Sequence, residues 1–289
     1  MAHLARFARH DDPTPCLGVV RVDHVSELAG HPTLASLLHE SLTDIRTLVE
    51  EADGGLPLSD VVLLPPVDGR MEVWAAGITY ERSRAARAEE SSQATVYDRV
   101  YDAERPELFF KATPWRVVTD GEPIGTRTDS TLDVAEPELA VVLNAAGEIV
   151  GYTVCNDVGS RDIEGENPLY LSQAKLFEGS CALAAGIRPA WLVPDPHRLA
   201  VRVCQTRGSR VVWAQEATTA SLRRRIPDLV SWLFREQRFP DGAVLSTGTG
   251  LVPAMDVGLA PGDLVAIEIA GVGALVNRVG GRGVSPSRR

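Results

Sequence analysis

The stretch that decides the reading of this chain is Asp133-Val-Ala-Glu136-Pro-Glu138-Leu-Ala-Val-Val-Leu-Asn144-Ala-Ala-Gly-Glu148-Ile-Val-Gly-Tyr-Thr-Val-Cys155-Asn-Asp157. Two short apolar runs, Leu139–Leu143 and Ile149–Cys155, are joined through a turn at Ala145-Ala-Gly-Glu148, the pattern of a β-hairpin. Residues two apart on a strand face the same side, so Glu136 and Glu138 project together. The returning strand ends at Asp157 and can bring that carboxylate to the same end. Three converging carboxylates repel one another unless a cation lies between them. Oxygen donors without histidine select a hard ion, and Mg²⁺ suits a site that leaves positions for water or substrate. The alternative from spacing alone is the solvent face of an edge strand, which Pro137 would permit.

Outward from the hairpin, the texture from Val73 onward is of short β-like runs broken by Gly, Pro and Asp: Trp191–Val193, Leu199–Cys204, Val211–Ala214, Val244–Thr247, Leu264–Ile269 and Ala274–Val279. Helical stretches are expected at about Glu81–Glu90 and from near Pro227, where Leu229, Val230, Leu233 and Phe234 share a face. Runs of strands with helices set aside indicate an α+β, β-rich domain over residues 71–280. Ahead of it, residues 1–70 read as a small N-terminal α/β domain. It has a strand at Leu17–Val22, one helix from about Pro32 whose face is Leu34, Leu37, Leu38, Leu42, Ile45, Leu48 and Val49, and a connector at Leu64–Gly69. The Gly-, Ser- and Arg-rich tail, 281–289, reads as disordered. There is no GxGxxG after a strand, no P-loop and no internal repeat.

Composition bounds the chemistry. A formal net charge of −10 argues against nucleic acid or an anionic membrane as partner. No apolar run approaches the roughly 20 residues of a membrane span, and the first twelve residues do not resemble a secretory signal. Cys16, Cys155, Cys181 and Cys204 form no CxxC pair, which suits reduced thiols in a cytoplasm. Residues 40–196 contain no histidine, so a site there must use carboxylates, lysine or hydroxyls. Only Lys111 and Lys175 are lysine among 29 basic residues. Where arginine replaces nearly every lysine, a surviving lysine can mark a place that needs a compact or titratable amine, although survival by drift would look the same.

Glu136-Pro-Glu-Leu139, Gly151-Tyr-Thr-Val-Cys-Asn-Asp157-Val-Gly-Ser-Arg-Asp162, Gln173-Ala-Lys175, Leu245-Ser-Thr-Gly-Thr249 and Leu259-Ala-Pro-Gly-Asp263 through Asn277 together resemble the fumarylacetoacetate hydrolase family. The motifs cover about residues 74–279 in the family's order. The resemblance implies a mixed β-roll catalytic domain of the fumarylacetoacetate hydrolase type, usually dimeric. It implies Mg²⁺ (or Mn²⁺) held by Glu136, Glu138 and Asp157, and a catalytic lysine at Lys175.

The departures narrow the activity. Many members that cleave carbon–carbon bonds carry a His and a Glu that activate water, and here Ser83 and Ala86 stand in those places. Neither side chain is a general base. Gly159, where the family usually has serine, and Gly250, where it often has proline, are further departures. The segments around Gly77–Ser83, Arg105–Ala112 and Ser160–Tyr170 look closest to the 2-keto-3-deoxy sugar-acid dehydratases, in particular those acting on 2-dehydro-3-deoxy-arabinonate. That resemblance supplies Glu107 as proton donor, with Lys175 as base. Lys111 is expected to pair with a substrate carboxylate or a site carboxylate, and Thr249 and Tyr80 to bind substrate. Arg161 and Asp162 are expected to pair with each other behind the metal, and Glu164 and Glu166 to lie in a loop over the pocket. The expected activity is a metal-dependent lyase on a small 2-oxo acid, in a homodimer or dimer of dimers. The alternatives are a hydrolase or decarboxylase of 2,4-diketo or 2-oxo acids, a biosynthetic enzyme using the site on a larger substrate, or a non-catalytic scaffold.

Overall fold

A computed structural model describes residues 2–90 and 94–281 of the chain; the expected disordered tail at 281–289 falls almost wholly outside them. The hairpin is formed by the strands Pro137–Leu143 and Ile149–Asp157, paired antiparallel from Pro137↔Asn156 to Leu143↔Ile149. It lies at the centre of a 13-stranded mixed sheet, so the edge-strand alternative fails. Pro137 is tolerated because it is the first residue of its strand. Every residue of Pro137–Leu143 is buried, as the unbroken apolar run requires when both sheet faces are covered.

One face packs against the helices Leu34–Leu37 and Leu42–Glu51, through Leu34, Leu37, Leu38, Ile45 and Val49 facing Ala140, Val142 and Val150. The other face meets a four-stranded antiparallel sheet, Ala200–Arg207, Arg210–Thr218, Leu264–Ile269 and Gly273–Arg278. Val141, Leu143 and Val154 share that second core with Val203, Trp213, Ile267 and Leu275. The helix Ile226–Leu233 seals it with Ile226, Leu229, Val230 and Leu233.

The N-terminal strands are part of the same large sheet, because Ala2–Arg9 pairs with Gly186–Pro189. They also steady the hairpin. The expected single helix from Pro32 is in fact two, broken at 38–41, with Thr33 and Ser41 each capping a start. Apolar spacing alone did not reveal the break because the buried face continues across it. The break grips the hairpin's turn: Ala145 N–H donates to the Leu38 carbonyl (2.9 Å), Asn144 Nδ2 to the Glu40 carbonyl (3.1 Å) and Leu42 N–H to Glu148 Oε2 (3.0 Å). The turn closes itself through Asn144, whose Oδ1 accepts from Ala146 and Glu148 N–H.

Other expected elements appear close to their places, including Glu81–Glu90 and Ile226–Leu233. Trp191–Val193 is not a strand; Ala190–Leu192 forms a 3₁₀ turn. Pro189 and Pro194 bracket too short a run to pair. The strands Ala2–Arg9, Glu72–Gly77 and Glu107–Ala112 were not anticipated. Among the described residues no helix is long and apolar enough to cross a membrane.

Asn144 is 1% exposed and makes four hydrogen bonds, so Asn144→Ala should cost about 2–4 kcal/mol of unfolding free energy in urea titrations. Unchanged stability would mean that the hairpin does not depend on its turn.

Candidate active site

The register of the hairpin makes the site. Glu136 precedes the first strand, Glu138 is its second residue and Asp157 ends the second strand, with Asp157 N–H donating to the Glu136 carbonyl at 3.0 Å. Asn156 Oδ1 accepts from Glu136 N–H at 3.0 Å and fixes the approach to the strand. One carboxylate oxygen from each of Glu136, Glu138 and Asp157 lies within 4.8 Å of the others, and all three residues are buried.

Both lysines of the chain converge here. Lys175, at the end of the helix Leu171–Lys175, places Nζ 2.6 Å from Glu136 Oε2 and 3.2 Å from Asp157 Oδ2. Lys111, on Glu107–Ala112, places Nζ 2.5 Å from Asp157 Oδ1 and donates to the carbonyls of Val158 (2.9 Å) and Lys175 (2.7 Å). The contact with Asp157 is an ion pair and those with the two carbonyls are hydrogen bonds. Of its two expected partners, the structure therefore gives Lys111 the site carboxylate. It lies beneath the cleft and is absent from the lining.

Glu138 is held differently. Its Oε2 accepts the Ser246 hydroxyl (2.6 Å) and the Gly248 N–H (2.8 Å). The turn can aim that N–H because Gly248 has φ of 90°. Burial, and then the charges of Asp157, Cys155 and Glu136, push the Glu138 carboxyl well above its ordinary range. A contact with Cys181, then burial, raises the Cys155 thiol well above its own, which keeps a soft thiolate out of the site. A buried, oxygen-only donor set fits a hard dication such as Mg²⁺.

A cleft opens over the carboxylates, with Glu136, Glu138, Asp157 and Lys175 among its lining. Glu107 and Thr249 line it, as do Ser83 and Ala86. Ser83 donates to the Tyr80 carbonyl (2.8 Å) and accepts from Tyr80 N–H, which commits its hydroxyl to the start of its own helix. Tyr80 itself is buried in the core and is not part of the lining. Burial first, and the charge of Glu138 second, raise its hydroxyl far above the usual range, so it stays protonated.

Arg161 and Asp162 do not pair. Arg161 lines the cleft and donates to the Pro253 carbonyl (2.9 Å). Asp162 turns away to the Ser130 hydroxyl (2.7 Å) and to Thr131 N–H (2.6 Å). Neighbours in sequence stand apart around a helix, so the Arg161–Glu166 helix separates them. Glu164 lines the cleft while Glu166 faces solvent, and both lie on that helix, not in a loop. Sequence reading also missed Ile78, a cleft residue with φ of 52°, a strained conformation for a β-branched side chain. Thr79 braces it by donating its hydroxyl to the Thr247 carbonyl at 2.7 Å.

The description "Fumarylacetoacetate (FAA) hydrolase C-terminal" matches residues 73–280, and "Rv2993c-like, N-terminal" matches residues 2–66. The chain belongs to the fumarylacetoacetate hydrolase family. Within that family it is 50% identical to the "Probable 2-keto-3-deoxyxylonate dehydratase" of Haloferax volcanii, over 74% of this chain and 73% of that protein. It is 42% identical to the "2-dehydro-3-deoxy-D-arabinonate dehydratase" of Saccharolobus solfataricus, over 77% and 76% of the two chains. Among solved structures, "2-keto-3-deoxy-D-arabinonate dehydratase complexed with magnesium and 2,5-dioxopentanoate" superposes with a TM-score of 0.82. That match has 34% identity and covers 98% of this chain and 99% of that one. Magnesium bound in a family relative agrees with the chemistry of this donor set.

The raised Glu138 carboxyl has a stability consequence. A carboxyl whose folded pKa exceeds its unfolded value favours folding at low pH, and that contribution is lost as pH rises above the ordinary 4.5 toward the folded value. Without metal, the thermal midpoint of Glu138→Gln should therefore fall less than that of the unaltered protein as pH rises from about 4.5. Mg²⁺ should stabilise only the unaltered protein. Parallel profiles in differential scanning calorimetry would show that the carboxylate repulsion is absent.

Proposed function

We propose that this chain is a magnesium-dependent dehydratase of 2-keto-3-deoxy sugar acids. The observation that carries this reading is one cleft lined by Glu107, Lys175 and three buried carboxylates, while Ser83 and Ala86 stand where a hydrolytic His–Glu pair would. When bound, magnesium would be held by Glu136, Glu138 and Asp157 and supply a Lewis acid for the carboxylate and keto oxygens of a 2-oxo acid.

The residues then divide the proton work. Lys175 takes the proton from C3, which a neighbouring keto group acidifies. An ammonium surrounded by carboxylates resists losing its proton, so Lys175 becomes a base only when that negative charge is compensated. Glu107 delivers a proton to the departing C4 hydroxyl, which leaves as water. Loss of a C5 proton and return of one to C3 then give the enol across C4 and C5, which passes its hydroxyl proton to solvent and takes one at C4 to become the terminal aldehyde of a 2-oxo acid. Thr249 contributes a hydroxyl to the substrate wall, with its Oγ1 already accepting from Leu251 N–H at 3.0 Å. Lys111 holds Asp157 and the Lys175 carbonyl in place. We assign Tyr80 to the wall behind Glu138.

The chain divides at about residue 70 into an N-terminal part and a catalytic part over 71–280, a division supported by the two family descriptions meeting between residues 66 and 73. The family resemblance also supports a homo-oligomer, a dimer or a dimer of dimers, working in the cytoplasm.

With Mg²⁺ and 2-keto-3-deoxy-D-arabinonate, the same compound as 2-keto-3-deoxy-D-xylonate, the protein should release an aldehyde, followed by NMR or a coupled dehydrogenase. Lys175→Met and Glu107→Gln should each lower kcat by roughly 10²–10⁴-fold and change KM little. Acetylpyruvate should not turn over. Turnover of acetylpyruvate with no dehydration of the sugar acid would replace this reading with a hydrolase.

A further inference from the structure

We propose that Ile78 determines substrate length: it is a rigid apolar stop, held in a strained backbone, that limits the sugar acid to five carbons. The inference rests on the dehydratase reading and names the chain length which that reading leaves open.

Ile78 has φ of 52°, a left-handed conformation that crowds the Cβ of an L residue against its own backbone. Branching at Cβ makes the crowding worse. Among the described residues, every other position with positive φ is a glycine except Val22. Val22 is 83% exposed, between the strands Cys16–Arg21 and His24–Glu27, whereas Ile78 is 8% exposed and lines the cleft. A position that needed only this conformation would be served by glycine without strain. The strain is therefore the cost of keeping this side chain in this place.

The residues on either side leave the backbone no easier path. Gly77 is fixed opposite Glu107 in the ladder. Thr79 donates its hydroxyl to the Thr247 carbonyl (2.7 Å), and its own carbonyl accepts from Arg223 N–H (3.0 Å). Tyr80 forms a bridge with Leu222. Ile78 spans the gap between these fixed points, where the strand Glu72–Gly77 turns toward the helix Glu81–Glu90. Ala76, Gly77, Ile78, Ser83 and Ala86 of this run line the cleft, and Ile78 is the largest of the five.

Its place along the substrate follows from Glu107. A Cβ built on Gly77 would fall inside the envelope of Glu107 Oε2, with Cδ at 2.7 Å and Cγ at 3.3 Å, so the carboxyl lies directly on Gly77. In the proposed reaction C1 and C2 sit at the metal end and Glu107 serves C4. Ile78 adjoins Gly77 and stands beyond that point, where a pentonate ends at C5 and a longer acid would place C6. A β-branched side chain has few rotamers and cannot swing aside.

The test compares kcat/KM for dehydration of 2-keto-3-deoxy-D-arabinonate and of 2-keto-3-deoxy-D-gluconate, which has one carbon more, by NMR with the full chain and Mg²⁺. The unaltered protein should favour the five-carbon acid by at least about tenfold, the discrimination that one carbon gives in an apolar pocket. Ile78→Ala and Ile78→Gly should each lower that ratio about tenfold or more, through KM for the six-carbon acid more than through kcat. Ile78→Val, one methylene smaller on the same backbone, should lower it about threefold. In scanning calorimetry Ile78→Gly should melt at least about 2 °C above Ile78→Ala, because glycine relieves a strain that alanine keeps.

A ratio within about twofold of the unaltered value in both truncations would overturn the proposal. So would an Ile78→Gly midpoint at or below that of Ile78→Ala. If neither truncation folds, Ile78→Val decides, and an unchanged ratio there rejects the stop. A protein that dehydrates both acids equally well leaves the dehydratase reading standing and removes only this proposal. A protein that dehydrates neither removes the dehydratase reading, and the proposal with it.

Discussion

Three carboxylates are buried at one end of a single hairpin, and the chain sends its only two lysines to meet them. Burying a carboxylate is costly unless charge and hydrogen bonds replace its water. Glu138, whose Oε2 holds a hydroxyl and a backbone N–H, has its carboxyl pushed up by burial first and by the neighbouring negative charges second. The three converging carboxylates make the floor of the cleft receptive to a dication.

Much of the architecture holds this electrostatic arrangement still. The strands carrying the carboxylates are central and covered on both faces, so they have little freedom to splay. The hairpin's far turn is gripped by the break between two N-terminal helices, which gives the first segment a direct mechanical link to the site. Lys111 extends the same logic underneath. By bonding both Asp157 and the Lys175 carbonyl, it ties the metal-facing strand to the helix that delivers the base. An arginine there would bring a broader, planar guanidinium in place of a compact ammonium that is fully buried among these partners.

What could be read from residues alone follows a physical pattern. The hairpin was legible because alternation on a strand has period two, so Glu136, Glu138 and Asp157 had to converge if the two runs paired. The lysines stood out against an arginine background, and the lack of histidine pointed to oxygen ligands. Long-range consequences were less visible. A helix face does not report a break that its own burial spans, as at 38–41. Adjacent charges such as Arg161 and Asp162 look like a pair in sequence, yet a helix sends them to different surroundings. The strained Ile78 and the close approach of Glu107 to Gly77 depend on neighbours distant in the chain, and no local pattern encodes them. The family motifs carried the assignment of Glu107, since a glutamate in Arg-Pro-Glu has no signature of its own.

The central physical claim concerns a divalent ion bound by oxygen atoms alone, with Lys175 beside it. Crystals grown with Mn²⁺ and a slow 2-oxo acid, measured at the manganese absorption edge, would test it most directly. The predicted result is one anomalous peak among Glu136, Glu138 and Asp157, with the keto acid chelating it and Lys175 facing the substrate's C3. No peak in the cleft, or a peak elsewhere with Lys175 still clamped between Glu136 and Asp157 and the keto acid bound, would contradict it.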